Sequence, residues 1–229
     1  MAEAMPGALV GAGRSADVYE AGDGRVLRRY RDGRPPARVA REAEVMAHAR
    51  AHGVPVPEVF DVTESGIVME RADGPTMLDV LGKRPWTLRT QIRLLARLHA
   101  MVHAAPPLDW LPAPFGDGGT QVLLHRDLHP QNVILTADGP RIIDWEGAAR
   151  GPAAADVAMT WVVVGFSNVP GGGLTAAKVR IMQGLFTRTF LAAAGPVDRT
   201  ILAEAVRQRL TDRHVLPAER ARLERLRFT

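Results

Sequence analysis

The sequence predicts an α+β fold in which a strand-rich N-terminal part, residues 1–75, is followed by a helix-rich part, residues 76–229. Residues 8–30 alternate short apolar runs with glycine-containing turns, which is typical of hairpin-linked strands. After "ADGP" (72–75) the pattern changes to apolar residues at helical spacing, and the segment from Ala153 onward is mostly helical. These observations predict two lobes with a cleft.

The N-terminal part reads as a hairpin sheet with one helix. "ALV" and "DVYEA" flank the glycine-rich "GAGRSA", and the pair Asp23-Gly24 predicts a tight turn into the third strand, "RVLRRY". A helix follows over "PPARVAREAEVMAHARAHG", with prolines at its start and Gly53 at its end. "VPVPEVFDV" and "SGIVMER" then predict two more strands, the prolines marking the first as an edge or irregular strand.

The C-terminal part is predicted to begin with a helix over "TLRTQIRLLARLHAMVHAA", whose apolar residues recur at helical spacing. A loop rich in proline and glycine, "LDWLPAPFGDGG", comes next. Two short strands, 133–135 and 141–143, are joined by "TADG". His99 and His103 have the i, i+4 spacing of a zinc pair, but without a third ligand nearby in sequence we interpret them as packing residues.

Composition excludes several classes of function. Charged residues at 24% and hydrophobic residues at 46% are ordinary for a soluble globular protein, and the chain has no cysteine for disulfides, thiolate metal sites or thiol nucleophiles. No apolar run approaches the ~20 residues of a membrane span, and "MAEAMPGALV" does not resemble a targeting signal, so we expect a cytoplasmic protein with no membrane contact. The net charge of +4 rests on scattered arginines, and aromatics are only 5%, which argues against nucleic acid as a partner.

The strongest chemical signal is the pair of segments "LLHRDLHPQNVIL" (123–135) and "RIIDWEG" (141–147). They place Asp127, then Asn132, then Asp144 at the end of an apolar run. Phosphoryl transfer needs a carboxylate to orient the attacking hydroxyl, and it needs hard oxygen ligands for magnesium. Asp127 is the candidate base, and Asn132 and Asp144 are candidate metal ligands. The alternative is an acidic turn followed by a strand that ends in aspartate.

A second candidate site is the glycine-rich segment between the first two strands, which contains Gly11, Gly13, Ser15 and Val18. Glycines there let backbone N–H groups approach phosphate oxygens. Ala16 stands where a G-x-G-x-x-G pattern has its third glycine, and a hairpin follows instead of a helix, which argues against a dinucleotide fold and a Walker loop. Many hairpins carry such glycines without any ligand.

The third strand predicts a cation beside an apolar residue on one face, because Val26 and Arg28 are two positions apart. This pairing suits a phosphate below an adenine ring, with Glu42 of the next helix holding Arg28. The alternative is a solvated basic strand that meets a helix carboxylate by chance.

Together these residues resemble the aminoglycoside phosphotransferase family, small-molecule kinases with a protein-kinase-like fold, over roughly residues 8–165. The resemblance implies ATP as co-substrate with Mg²⁺, Asp127 as catalytic base, and Asn132 and Asp144 as magnesium ligands. Arg28 falls where the family usually has lysine, with Glu42 as its ion-pair partner. Arg126 stands where these phosphotransferases commonly have glycine and protein kinases have arginine.

The resemblance also implies an adenine site and a structural brace. Val18 and Val26 would cover the adenine, Met69 resembles the gatekeeper residue, and the backbones of Glu70 and Ala72 would bond the adenine edge. Asp156 resembles a buried aspartate that braces the catalytic loop. We also expect His129 to hydrogen-bond or pack within that loop.

The acceptor is expected to be a hydroxyl of a small molecule. Only eleven residues separate Asp144 from Asp156, too few for the activation segment that docks a peptide in protein kinases. Residues 151–229 carry eleven Lys and Arg against six Asp and Glu, a poor trap for a polycation, so a neutral or anionic acceptor is favoured over an aminoglycoside. The missing lysine and third glycine leave open an inert or weakly active nucleotide-binding module.

Overall fold

The computed structural model describes residues 7–13, 15–31, 33–167, 173–212 and 215–228, with only the backbone at 174–175. The chain divides into two compact units, Met1–Pro75 with Ile134–Glu146 and Thr76–Val133 with Gly147–Thr229. In chain order, the elements are β1 (Leu9–Ala12), β2 (Ala16–Glu20), β3 (Arg25–Tyr30), α1 (Pro36–Ala51), β4 (Val59–Val62), β5 (Gly66–Glu70), α2 (Met77–Lys83), α3 (Leu88–Ala104), β6 (Val122–Leu124), β7 (Val133–Thr136), β8 (Gly139–Ile142), β9 (Ala149–Gly151), α4 (Ala153–Phe166), α5 (Gly173–Ala194), α6 (Arg199–Thr211) and α7 (Pro217–Leu223).

The first unit is built on a five-stranded antiparallel sheet in the order β1-β2-β3-β5-β4. The Asp23-Gly24 turn between β2 and β3 is confirmed, with φ angles of 50° and 70°, in the left-handed region that such turns require. Helix α1 contacts β4 and β5, and it ends as predicted just before Gly53, whose φ of 83° suits the residue after a helix.

The β7–β8 hairpin belongs to the first unit. The N–H of Leu135 donates to the Pro75 carbonyl at 2.9 Å, and the N–H of Ile142 donates to the Pro55 carbonyl at 2.7 Å. Gly74 runs so close to this hairpin that a Cβ there would lie 2.2 Å from the Leu135 carbonyl oxygen. The turn at 72–75 therefore carries glycine because the backbone of β7 leaves no space for a side chain.

The second unit is mainly helical. The predicted apolar stripe of α3 is buried, with Ile92, Leu95 and Val102 fully enclosed. Helix α4 is apolar on most of its surface, and Ala158 and Val162 form a core with residues of α6 and α7. The α+β class expected from the sequence is confirmed by these two units. Within the described ranges, no helix combines the length and apolar character that a membrane crossing requires.

Two elements of the second unit were not predicted. Helix α2 starts with a capping box in which the Thr76 hydroxyl accepts from the Asp79 N–H at 3.0 Å and the Asp79 carboxylate accepts from the Thr76 N–H at 3.1 Å. The three-residue strand β9 pairs antiparallel with β6. Strands this short have too few residues to show a periodic pattern.

Candidate active site

The first unit gathers the predicted nucleotide-binding side chains on one face of its sheet. Val18 pairs directly with Arg28, and Val26 pairs with Met69. Because paired residues of antiparallel strands point to the same side, and Val26 and Arg28 are two residues apart, all four side chains share one face. Val26 and Met69 are buried there.

Arg28 joins two carboxylates on that face. Its Nη1 donates to Glu42 at 2.5 Å and its Nη2 donates to Asp144 at 2.7 Å. The hydroxyl of Tyr30 donates to the other Glu42 oxygen at 2.6 Å. Burial would lower the pKa of the Arg28 guanidinium, but Glu42 and Asp144 outweigh it and hold that pKa above its usual value. The planar fork lets one side chain hold both acids at once.

Asp144 sits on a constrained piece of backbone. Its φ of 68° is left-handed, which is uncommon for a residue other than glycine. Trp145 fixes the next position, because its buried indole N–H donates to the Ile142 carbonyl at 3.1 Å. The Asp144 side chain remains 38% exposed despite its contact with Arg28.

Sequence reasoning missed a second ion-pair group beside the first. Arg34 is buried, bonds Glu146 at 2.8 Å and lies 3.6 Å from Glu42. Its guanidinium also stacks over the Tyr30 ring at 4.1 Å. Tyr30 could have been found, since it lies two residues after Arg28 on the same strand face, whereas no local signal marks Arg34.

The glycine-rich segment forms a tight connection between β1 and β2. The Gly13 N–H donates to the Ala16 carbonyl at 2.8 Å, and a Cβ on Gly13 would lie 2.9 Å from that oxygen. Gly11 has open space around it. The Ser15 hydroxyl donates to Glu146 at 3.4 Å, a long contact, and Arg14 lies outside the described residues.

The predicted adenine-edge residues lie at the end of β5, where Glu70 is the last strand residue, and just after it at Ala72. The Glu70 N–H is taken by the Glu58 carbonyl at 2.8 Å, so only the Glu70 carbonyl could serve a base. For Ala72, no hydrogen bond of the N–H is found among the described residues. The Glu70 side chain is occupied by Arg141, at 2.9 Å.

In the second unit, Asp127 is held by two neighbours in its own loop. The Asn132 amide donates to the Asp127 carbonyl at 2.9 Å and to its Oδ2 at 3.2 Å. His129 Nε2 lies 3.3 Å from the other carboxylate oxygen, while its Nδ1 accepts from the Gln131 N–H. This pattern assigns the proton to His129 Nε2, so the ring donates to Asp127, and His129 does bond within the loop as expected.

The Asp127 carboxylate stays ionised at neutral pH. Burial would raise its pKa, but the hydrogen bond from His129 and the electrostatic effects of His129, His125 and Arg209 hold that pKa below its usual value. The side chain is still 42% exposed, so one side of the carboxylate is open.

Asp156 braces this loop from beneath, as its resemblance to a structural aspartate implied. The fully buried carboxylate accepts the N–H of His125 at 3.1 Å, the N–H of Arg126 at 2.5 Å and Nε2 of His103 at 3.2 Å. Arg126 has a left-handed φ of 68°, and its N–H bond to Asp156 helps to hold that conformation.

Comparison with known proteins identifies the family. The model of the phosphotransferase enzyme family (APH) matches residues 7–119 and 108–194. The chain belongs to this family. The resemblance drawn from the catalytic-loop and Asp-Trp segments is therefore confirmed.

Curated relatives of this phosphotransferase-family protein match over shorter stretches. The probable serine/threonine-protein kinase BUD32 homolog of Archaeoglobus fulgidus is 32% identical over 108 residues, 47% of this chain and 44% of the relative. The thiamine kinase of Salmonella paratyphi B is 49% identical over 39 residues, 17% of this chain and 14% of the relative. The chain thus spans less than half the length of these relatives.

Solved structures share the fold of the phosphotransferase-family protein. Aminoglycoside phosphotransferase APH(4)-Ia aligns with a TM-score of 0.60 at 17% identity, covering 89% of this chain and 84% of the other. The streptomycin–ATP–APH(2")-IIa ternary complex also aligns at 0.60, with 12% identity over 96% and 91% of the two chains. At these identities the match shows the fold alone, which is the protein-kinase-like fold predicted from the sequence.

The predicted metal ligands have suitable free atoms. The Asn132 amide nitrogen is used within the loop, and no bond to its Oδ1 is found among the described residues. Arg28 donates to Oδ1 of Asp144, and no hydrogen bond to Oδ2 of Asp144 is found among the described residues. An amide oxygen and a carboxylate oxygen are the hard donors that Mg²⁺ prefers, so each residue by itself offers a donor of the right chemistry.

A second cluster with ligand-type atoms is explained without a metal. His99, His103 and Asp156 place their ligand atoms within 4.8 Å of one another. The Asp156 carboxylate already accepts two backbone N–H groups and His103, which is the arrangement of a structural network. His99 is buried as a packing residue would be, whereas His103 also acts as a hydrogen-bond partner of Asp156.

Proposed function

We propose that this protein transfers the γ-phosphoryl group of ATP, with Mg²⁺, to a hydroxyl of a small molecule that is neutral or anionic. The observation that carries the proposal is the Asp127 carboxylate, oriented by Asn132 and His129, ionised, and open on one side. In phosphoryl transfer by this fold, positioning and electrostatics supply nearly all of the catalysis.

Asp127 would accept the proton of the acceptor hydroxyl. The hydroxyl oxygen forms the new bond to the γ-phosphorus while the bond to the bridging oxygen breaks, and ADP leaves with that electron pair. Because Asn132 donates to Oδ2 and His129 to Oδ1, the carboxylate cannot rotate freely. A base held in this way orients the attacking oxygen before the reaction starts.

The nucleotide role of the first unit rests on its sheet face. Val18, Val26 and Met69 supply an apolar surface for the adenine, and the Ala72 N–H is available to its edge. The backbone N–H groups around Gly11 and Gly13, with Ser15, would receive phosphate oxygens. The structural neighbours support this role, because one is a ternary complex with ADP and hygromycin B and another contains ATP.

Magnesium would be held by Asn132 and Asp144 and would neutralise charge that builds on the phosphates during transfer. Asp144 is already paired with Arg28 at 2.7 Å, so in the proposed active state the guanidinium would share the carboxylate with the metal or turn to a phosphate. Glu42, at 2.5 Å on the other side of the fork, would keep Arg28 in place.

The second unit offers little to a polycationic acceptor, because most of its acidic side chains are already engaged. Asp198 caps α6, accepting from the Ile201 N–H at 2.9 Å, and Glu204 contacts Arg207 and Gln208. Asp212 and Glu219 both bind Arg209, at 2.9 and 2.8 Å. A polycation needs several carboxylates with uncompensated charge, so these pairs favour a neutral or anionic acceptor.

The name of the archaeal relative raises a protein hydroxyl as the acceptor instead. The short interval between Asp144 and Asp156 argues against it, because eleven residues leave no room for a peptide-docking segment.

The other alternative is a module that binds nucleotide without turnover. The direct bond between Arg28 and the candidate metal ligand Asp144 favours this non-catalytic module, because the ion pair could persist as a resting state.

The experiment is a phosphoryl-transfer screen, by ADP release, against alcohols, sugars, hydroxy acids, aminoglycosides and a generic protein substrate. With the acceptor found, Asp127→Asn should lower kcat by about 10²- to 10⁴-fold while ATP binding survives. Asp144→Asn should also weaken magnesium-dependent ATP binding, measured by thermal shift with and without the metal. Asp61→Asn, which alters an exposed carboxylate of β4, is the matched control and should change neither.

Unchanged turnover in Asp127→Asn would overturn the assignment of the base. Stabilisation by ATP with no transfer to any acceptor would favour the non-catalytic module. Efficient and salt-sensitive phosphorylation of a polycationic aminoglycoside would contradict the acceptor charge proposed here.

A further inference from the structure

Arg126 is a half-buried cation placed directly before the candidate base. Its backbone is fixed by the left-handed φ of 68° and by the N–H bond to Asp156 at 2.5 Å. The residue before it, His125, is fully buried, and the residue after it is Asp127. The position of the side chain is therefore set by the same brace that positions the catalytic loop.

The guanidinium of Arg126 makes no hydrogen bond or ion pair with any residue that the structure describes, and its Nε is fully buried. Burial lowers the pKa of this arginine, and Asp156 and Asp127 only partly offset that effect. Among the Arg126 nitrogens only Nε is a buried atom without a partner, so the guanidinium is partly desolvated while its other N–H donors stay accessible. Arg28, in the other unit, has two carboxylates in direct contact.

The two carboxylates that raise the pKa of Arg126, those of Asp156 and Asp127, are already bound to other groups. Asp127 is held by Asn132 and His129, and Asp156 is held by His103 and two backbone N–H groups. Within the described ranges, neither forms a hydrogen bond or an ion pair with the guanidinium of Arg126. The Arg126 guanidinium therefore keeps N–H donors that no described residue uses.

We propose that Arg126 binds an anionic group of the acceptor, so that the substrate carries a carboxylate or a phosphate as well as the hydroxyl that is phosphorylated. The inference rests on the proposed function and narrows it from a neutral or anionic acceptor to a hydroxy acid or a phosphorylated alcohol. A guanidinium presents two parallel N–H donors, and both groups can accept them in a bidentate pair. The surroundings of Asp127 act in the same direction, because His129 donates to its carboxylate and the charge of Arg209 helps to lower its pKa.

The first test compares matched acceptors in the wild-type enzyme and in Arg126→Met, which keeps the length of the side chain and removes its charge. The panel pairs hydroxy acids and phosphorylated alcohols with the neutral alcohol of the same skeleton. We expect kcat/KM for the anionic acceptors to fall about tenfold to a hundredfold, mainly through KM, with unchanged KM for ATP. Neutral acceptors should be unaffected, and Arg126→Lys should recover part of the loss because it keeps a point charge.

Arg150→Met is the matched control in the same unit, because Arg150 already has a carboxylate partner in Asp117 at 2.7 Å. It should leave the preference for anionic acceptors intact. Equal losses for anionic and neutral acceptors in Arg126→Met would overturn the inference and leave the proposed function standing. The inference also fails, without harm to the proposed function, if the wild-type enzyme prefers the neutral member of each pair.

A binding test separates this inference from the activity. With MgADP saturating, so that the nucleotide phosphate site is filled, inorganic phosphate and the acids of the panel are titrated and protection is measured by thermal shift. Protection that is lost in Arg126→Met and kept in Arg150→Met supports an anion site even if no acceptor is turned over. No protection of the wild-type protein, or equal protection of both variants, would refute the site.

Discussion

Arg28 and Arg126 are arginines beside candidate site residues, one in each unit, and their surroundings are opposite. Arg28 lies between Glu42 and Asp144, at 2.5 and 2.7 Å, and its pKa is raised. Arg126 has no partner for its guanidinium in the described ranges, and its pKa is lowered by burial. The first charge is neutralised by the protein itself, whereas the second is not.

The difference separates a charge that stabilises the fold from one that the fold tolerates. Glu42 also binds Tyr30 and lies near Arg34, so the Arg28 pair is part of a network that ties β3 to α1. Among the described residues, none forms a hydrogen bond or an ion pair with the Arg126 side chain, whereas its backbone N–H donates to Asp156. A charge that does not stabilise the fold is typical of a functional position, where activity is retained at the expense of stability.

The largest expected effect comes from removing the Glu42 carboxylate, which takes away an ion-pair partner of Arg28. Glu42→Ala removes the buried carboxylate and leaves Arg28, Arg34 and Tyr30 without their shared acceptor, so it should lower the free energy of unfolding by about 3–5 kcal/mol. Urea or thermal unfolding measures this loss. Glu44→Ala, an exposed change on the same helix, should stay within about 0.5 kcal/mol. A Glu42→Ala protein as stable as its control would show that the network contributes nothing.

Measuring the free energy of unfolding against pH extends the comparison to His99, a buried side chain that stays neutral. Burial lowers the pKa of His99 to about 4, from its ordinary value of 6.5. Above pH 6.5 the ring is neutral in both states; as the pH falls toward 4, only the unfolded chain takes up the proton, so stability is lost across this window. The shift corresponds to roughly 3 kcal/mol.

Unfolding measured from pH 7 to pH 4 tests this expectation, with His99→Gln as the variant that cannot titrate. The Asp156 carboxylate, which faces His99, has its pKa lowered and stays ionised throughout, so its own contribution is lost only at more acid pH. The variant should lose less stability than the wild-type protein between pH 6.5 and 4. Parallel curves for the two proteins would contradict the assignment.

The smallest effect is the most direct contrast between the two arginines. Arg28→Met should destabilise by about 1–3 kcal/mol, because Glu42 keeps Tyr30 and Arg34 as partners. Arg126→Met should be neutral or stabilising by up to about 1 kcal/mol, because a half-buried charge without an ion-pair partner in the described chain is replaced by an apolar side chain. Chemical unfolding of both variants measures the difference, and equal destabilisation would mean that Arg126 has a partner in the folded protein.

Part of the fold could be predicted from the sequence because its signals are local. The Asp23-Gly24 turn, the α1 helix that ends before Gly53, and the apolar stripe of α3 depend on residues within a few positions of one another. Strand β9 and helix α2 were missed, since a three-residue strand has no measurable period and α2 shows itself mainly by a capping box.

The sequence by itself determined the chemistry of the candidate residues and their family. Asp127, Asn132 and Asp144 follow a motif whose spacing is set along the chain, and Val26 and Arg28 share a strand face because side chains alternate. Apart from the Arg28–Glu42 pair, which the sequence predicted, only the tertiary structure decided the partners of the charges. Arg28 with Asp144, Arg34 with Glu146, and Asp156 with the N–H of Arg126 join residues 30 to 116 positions apart. Such contacts leave no trace in local pattern, because burial and distance, which decide whether a charge is neutralised, arise only when distant segments pack.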